Sequence, residues 1–157
     1  MKPFLEYLST LLHIVGIVLF AGGHVWFGWF AALAERRRDR DGVRFLASTL
    51  PLMANVFGVG VLLLFGSGML KLLLWGEPGL IFLPDPYGWI LLSKLLLYML
   101  IVGNGLLIER RYLPAIGQET SLQPTAAWYQ VTMRARLNLL LILVVVALGE
   151  AMRYSRL

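Results

Sequence analysis

FLEYLSTLLHIVGIVLFAGGHVWFGWFAAL, residues 4–33, decides the fold. Its single charged residue is Glu6. A helix needs about 20 predominantly apolar residues to cross a bilayer core of roughly 30 Å. This run is longer than that, so it reads as a membrane span with length to spare for tilting or projecting. Only Lys2 precedes it, it is too long for a signal-peptide core, and no small-residue cleavage site follows promptly. It is therefore expected to be retained.

Three further runs meet the same criterion, which sets the spans at about 4–33, 50–75, 87–108 and 130–152. Residues 35–44 (ERRRDRDGVR) are too polar to cross, and residues 76–86 (GEPGLIFLPDP) carry the prolines and glycines of a loop. Residues 113–128, with Pro114, Gly117 and Pro124 among polar residues, read as a surface loop containing at most a short interfacial helix. Short connections imply a single all-α membrane domain over 1–157, an antiparallel bundle of four transmembrane helices. Basic residues orient it. The first connection holds Arg36, Arg37, Arg38, Arg40 and Arg44, and the third with its flanks holds Arg110, Arg111, Arg134 and Arg136. The opposite side has Lys2, Lys71, Lys94, Arg153 and Arg156. Nine against five places those two connections in the cytoplasm and both termini outside, in a bacterial-type inner membrane. Trp75, Tyr87 and Trp89 flank the second loop as an interfacial belt.

Composition agrees. Of 157 residues 59% are hydrophobic, and the mean hydropathy is +0.74. The net charge of +5 lies beside the apolar runs, which suits membrane orientation and argues against nucleic acid. No cysteine is present, so disulfides, thiolate-bound zinc, iron–sulfur clusters and covalently attached haem are excluded. No hydrolase, phosphate-loop or HExxH motif occurs.

The only histidines, His13 and His24, both lie in the first span. Eleven residues of α-helix return to within roughly 20° of the same face and advance roughly 16 Å, too far for one shared metal or haem iron. Intramembrane imidazoles are costly and often ligate metals, so both are candidate ligands of separate centres. The plain alternative is hydrogen bonding between helices.

Lys94 either snorkels outward or turns inward to pair with a ligand carboxylate such as a porphyrin propionate, and Lys71 has the same options. Arg136 is a positive-inside anchor or a cofactor contact, and Asn138 is interhelical glue or pocket lining, as are Asn55 and Asn104. Trp26 suits either the cytoplasmic belt or the wall of a flat aromatic pocket. Glu150 either pairs with Arg153 or faces inward. Scattered methionines such as Met69 and Met99 usually pack, though they could bind copper(I) or complete a haem axial position.

The stretch 12–18 (LHIVGIV) with Phe20-Ala21-Gly22 resembles the first helix of the membrane family that contains the HemJ-type protoporphyrinogen oxidases and the CopD copper-resistance domain. Residues 88–97 (GWILLSKLLL) resemble the Gly-Trp…Lys-Leu stretch of that group's third helix, and Arg136-Leu137-Asn138 is similar to the opening of its last. The resemblance implies that His13 is a haem ligand and that Lys94 stands at the family's lysine. The HemJ-type first helix carries an arginine after the Ala-Gly pair where this chain has Gly23-His24-Val25-Trp26, which argues against protoporphyrinogen oxidation.

The resulting expectation is a b-type haem protein of the membrane with a redox or electron-transfer role. It would hold one haem or two, ligated by His13 and His24 with Lys94, Trp26, Asn138 and Arg136 around them. Its partners would be lipids, a redox protein or a quinone, or a second copy of the chain. A copper-handling protein using His13 and His24 with methionines is the alternative, and a non-catalytic membrane subunit is a third reading.

Overall fold

The computed structural model describes residues 2–75, 86–118 and 126–154, and all of them are helical except Arg38 and Asp39. Helix α1 (Lys2–Ile17) runs through a π-helical turn, Val18–Gly22, into α2 (Gly23–Arg37), so the three form one 36-residue helix. Helix α3 spans Arg40–Trp75 and α4 spans Pro86–Leu107. A second π turn, Ile108–Tyr112, continues α4 into the short α5 (Leu113–Gln118), and α6 covers Ala126–Tyr154. Four of these helical runs are long and apolar enough to cross a membrane: Lys2–Arg37, Arg40–Leu74, Pro86–Ile116 and Ala126–Met152.

Each run is longer than its apolar stretch. Charge ends an apolar run without ending a helix, because Arg and Glu are good helix formers. The polar segment 35–44 is thus helical apart from one tight reversal. Arg38 adopts the left-handed conformation (φ 53°) and closes α2 by donating its N–H to the Glu35 carbonyl. Asp39 then caps α3, its Oδ1 accepting the Gly42 N–H at 2.9 Å. The expected surface loop 113–128 likewise begins as helix, through Gln118. Pro114 cannot donate to the Arg110 carbonyl and its ring crowds that group, and the chain widens into the π turn just before it. The loop residues 76–85 and 119–125 lie outside the described residues.

Helices α1 and α2 lie along α3, with small residues at the closest approach. A Cβ added to Gly16 would meet Leu64 Cγ at 2.9 Å and the Gly60 carbonyl oxygen at 3.1 Å, and one on Gly60 would meet Phe20 Cβ at 3.1 Å. Such positions let backbones approach where larger residues would hold them apart. Partner numbers fall as residue numbers rise: His13 meets Ser67, Gly16 meets Leu64, Phe20 meets Gly60. Helix α6 packs on both α4 and α2. The denser part of the core sits near the Arg38–Asp39 reversal, where Phe27 and Ala31 meet Leu46, Leu50, Trp128 and Val131. A thinner cluster of Phe20, Ile101 and Ile142 follows along the bundle. Outward faces are apolar and exposed, with Val18, Trp29, Leu62, Leu96 and Leu140 among them.

Candidate functional site

The π turn Val18–Gly22 lies between the two histidines. An inserted residue rotates everything after it by about 100° relative to a continuous α-helix, so the expected offset of about 20° becomes roughly 80°. His13 and His24 accordingly occupy different surroundings.

His13 is half-buried against α3, with Nδ1 2.9 Å from Ser67 Oγ. Ser67 is buried, and its hydroxyl reaches the carbonyls of Leu63 at 2.5 Å and Leu64 at 3.2 Å. A serine hydroxyl has one proton to give. With that proton directed at the helix carbonyls, the His13–Ser67 bond needs its hydrogen from Nδ1. Nε2 then keeps its lone pair. Ligating histidines are held in this way, by a partner that fixes tautomer and ring orientation through the other nitrogen. The ammonium groups of Lys71 and Lys94 stand within electrostatic reach of the ring and of one another. Lys94 is half-buried, and its Nζ lies 3.4 Å from where a Cβ on Gly149 of α6 would be. An imidazole lone pair with two ammonium groups in its electrostatic surroundings suits a metal-centred ligand that carries carboxylates.

His24 is buried, and its Nδ1 lies 2.8 Å from the Phe20 carbonyl inside the π turn. A carbonyl only accepts, so Nδ1 carries the hydrogen here as well and Nε2 is again the lone-pair nitrogen. Phe57 stacks on the imidazole at 4.4 Å between centroids, and Phe20 meets it edge-on at 4.6 Å. His24 lines a cavity of about 160 Å³ shared by α3, α4 and α6. Pockets that enclose drug-sized ligands run about 300–1,000 Å³, so this one is small beside them.

Asn138 also lines the cavity and is 1% exposed. Its Oδ1 accepts from Asn104 Nδ2 at 2.7 Å, and Asn104 also donates to the Arg134 carbonyl at 3.1 Å. Arg134 returns a bond from Nη1 to Asn104 Oδ1 at 2.8 Å and sits over the Tyr112 ring at 5.2 Å. Asn104 and Asn138 thus form one connected network between α4 and α6, leaving the Asn138 NH₂ as the group offered to the cavity, whereas Asn55 is exposed and lies outside the cavity lining. Arg136 instead forms an ion pair with Glu35 at 2.8 Å, and Trp128 Nε1 donates to the same carboxylate at 3.3 Å. That clamp joins α2 to α6 away from the cavity lining. Trp26 is exposed and packs on Phe30 at 4.8 Å, outside the cavity lining.

Met69 and Met99 are both exposed on outward faces. Among the described residues no three His, Cys, Asp or Glu side chains converge into a metal-binding group. Sequence reasoning missed Ser67 and Phe57, and touched Phe20 only within the family resemblance. Ser67 carried a signal, since it is the one polar residue in the apolar segment Gly66-Ser67-Gly68; the two phenylalanines carried none. No protein family, curated protein or solved structure matches the chain.

Proposed function

We propose that this chain is an integral protein of a bacterial-type inner membrane, an antiparallel four-helix bundle that binds one b-type haem through His13 and serves a redox role. The falling partner numbers along α1 and α3 support the antiparallel arrangement. The apolar exposed faces and the nine-against-five basic asymmetry support insertion with both termini outside. At about 1.5 Å per residue the 36-residue helices reach about 54 Å, enough to cross and project into the cytoplasm.

The observation that carries the haem reading is the His13 arrangement: Nδ1 tied to a buried serine, Nε2 left with its lone pair, and Lys71 and Lys94 close by. The resemblance of residues 12–22 and 88–97 to the CopD/HemJ-like family points to the same histidine and lysine. When bound, haem supplies one-electron chemistry whose potential depends on axial ligand and burial. Ser67 would hold the imidazole in one tautomer and orientation, and Lys94 and Lys71 would hold the propionates toward the outer side. Protoporphyrinogen oxidation is not proposed, because Gly23-His24-Val25-Trp26 replaces the arginine of that enzyme type. Copper handling draws no support from Met69 and Met99, which face outward.

Pyridine haemochrome quantification and reduced-minus-oxidised spectra of the purified protein test this. One haem per chain is expected in wild type and in His24→Ala, and none in His13→Ala. Absence of haem bands in folded wild type, or haem unaffected by His13→Ala, overturns the reading.

A further inference from the structure

The cavity beside His24 is unused by the proposed haem. Its contents can be argued from size, polarity and access. A cavity of about 160 Å³ is close to the roughly 150 Å³ void that accommodates one benzene ring. It is larger than one water molecule's share of about 30 Å³. Its walls are mostly aromatic and aliphatic, with Phe20, Phe57, Val61, Ile101 and Val131 among them. Two buried polar groups interrupt those walls, and the exposed Glu109 also lines the cavity. His24 offers a lone-pair nitrogen, because its Nδ1 hydrogen is committed to the Phe20 carbonyl. Asn138 offers an NH₂ donor, because its oxygen is committed to Asn104. Acceptor and donor together suit a hydroxyl group, which gives one hydrogen bond and receives another.

Access completes the case. The cavity lining includes Gly58 on α3, and Gly105 and the exposed Leu106 on α4, so it reaches the outer surface between those two helices. Helices α3 and α4 touch little. They meet at Tyr98, whose hydroxyl donates to the Val61 carbonyl at 2.8 Å and whose ring stacks on Phe65. A Cβ added to Gly58 or to Gly105 meets nothing within 4 Å. The opening is therefore lateral, flanked by two glycines, and it faces where acyl chains would lie.

We infer that this cavity binds the ring of a membrane-soluble quinol, reached sideways between α3 and α4, with a ring hydroxyl donating to His24 Nε2 and an oxygen accepting from the Asn138 NH₂. The lipid tail leaves through the opening beside Gly58 and Gly105. The inference rests on the membrane placement proposed above and is independent of haem.

The test uses full-length protein in phosphatidylcholine nanodiscs under anaerobic conditions, titrated calorimetrically with a benzoquinol bearing one isoprenoid unit. Empty discs supply the correction for partitioning. One saturable site per chain is expected, and the bis-methyl ether of the same quinol, which cannot donate to His24, should bind at least tenfold more weakly. Gly105→Leu, whose Cβ has open space, places a side chain at the opening and should weaken quinol binding at least tenfold at unchanged helicity and Tm. Gly58→Leu fills the opposite wall and makes the same test should the first variant fold poorly. No saturable binding by wild type, equal binding of the ether, or wild-type binding by both folded glycine variants overturns the inference. Haem is quantified on the same samples: quinol binding without haem defeats only the haem proposal, and haem without quinol binding defeats only this one.

Discussion

Gly22 and Gly23 are neighbours in sequence whose replacement by alanine should have different energetic consequences. A Cβ on Gly22 meets nothing within 4 Å, whereas one on Gly23 overlaps Phe57 Cε1 and lies 3.1 Å from Cδ1. Carbon atoms rest about 3.5–4.0 Å apart, so the Phe57 ring must move by about 1 Å. It cannot do so freely, because its face stacks on His24 at 4.4 Å. Overpacking of this kind costs about 1–3 kcal/mol. Both substitutions gain up to about 1 kcal/mol of helix propensity. Gly22→Ala should therefore be neutral or stabilising by up to about 1 kcal/mol, and Gly23→Ala should be destabilising by about 0–3 kcal/mol. The propensity gain cancels in the comparison, leaving a difference of about 1–3 kcal/mol, or roughly 5–150-fold in the folding constant. Reversible unfolding in mixed micelles, followed by helical circular dichroism, measures both. Equal stability of the two variants would refute the packing of Phe57 between Gly23 and His24.

Ser67→Ala removes the acceptor that orients His13, and losing such a partner typically costs about 10–100-fold in metal affinity; haem titration of the refolded apoprotein should show that loss, and unchanged affinity would contradict the assigned tautomer. Asn104→Ala breaks bonds to Asn138, the Arg134 carbonyl and the Arg134 guanidinium at once. It should cost more than Asn138→Ala, at about 1–3 kcal/mol for each buried group left unsatisfied, measured by the same unfolding assay. Glu35→Gln weakens a partly exposed ion pair with Arg136 and should change stability by no more than about 1 kcal/mol, with the difference shrinking as salt is added.

The four long helices were legible because uninterrupted apolar runs leave little alternative in a chain of this composition. Their ends were not, since Arg36, Arg37 and Arg40 halt hydrophobicity without halting helical hydrogen bonding. The π turn Val18–Gly22 was invisible, because apolar residues fill every position around it and no periodicity records an inserted residue. That turn changes the relation of the histidines: from a common face with one ring above the other, to one ring beside Ser67 and the lysines and another enclosed by Phe20 and Phe57. Arg136 read as an anchor because its partner, Glu35, is 101 positions away and nothing local announces the pairing. Asn138 was legible as a buried polar residue, but its neighbour in the network and its place on a cavity wall are products of how α4, α6 and α2 meet.

The reversal at Arg38–Asp39 governs how the chain can come together. Two helices of about 54 Å each, by the rise per residue, are joined by a pair of residues outside helical structure. His13 and Ser67 are 54 positions apart in the chain, yet bringing them together closes no flexible loop once both helices exist, because contacts can zip outward from the cap. The contacts inside the first half, the buried Gly16 and Gly60 and the His13–Ser67 bond among them, therefore need no other helix, whereas Phe27 and Ala31 are covered only when Trp128 and Val131 of α6 pack on them. The cavity is different in kind: it needs α4 and α6 and so forms only when the second half docks, which makes its occupancy a report on completed assembly.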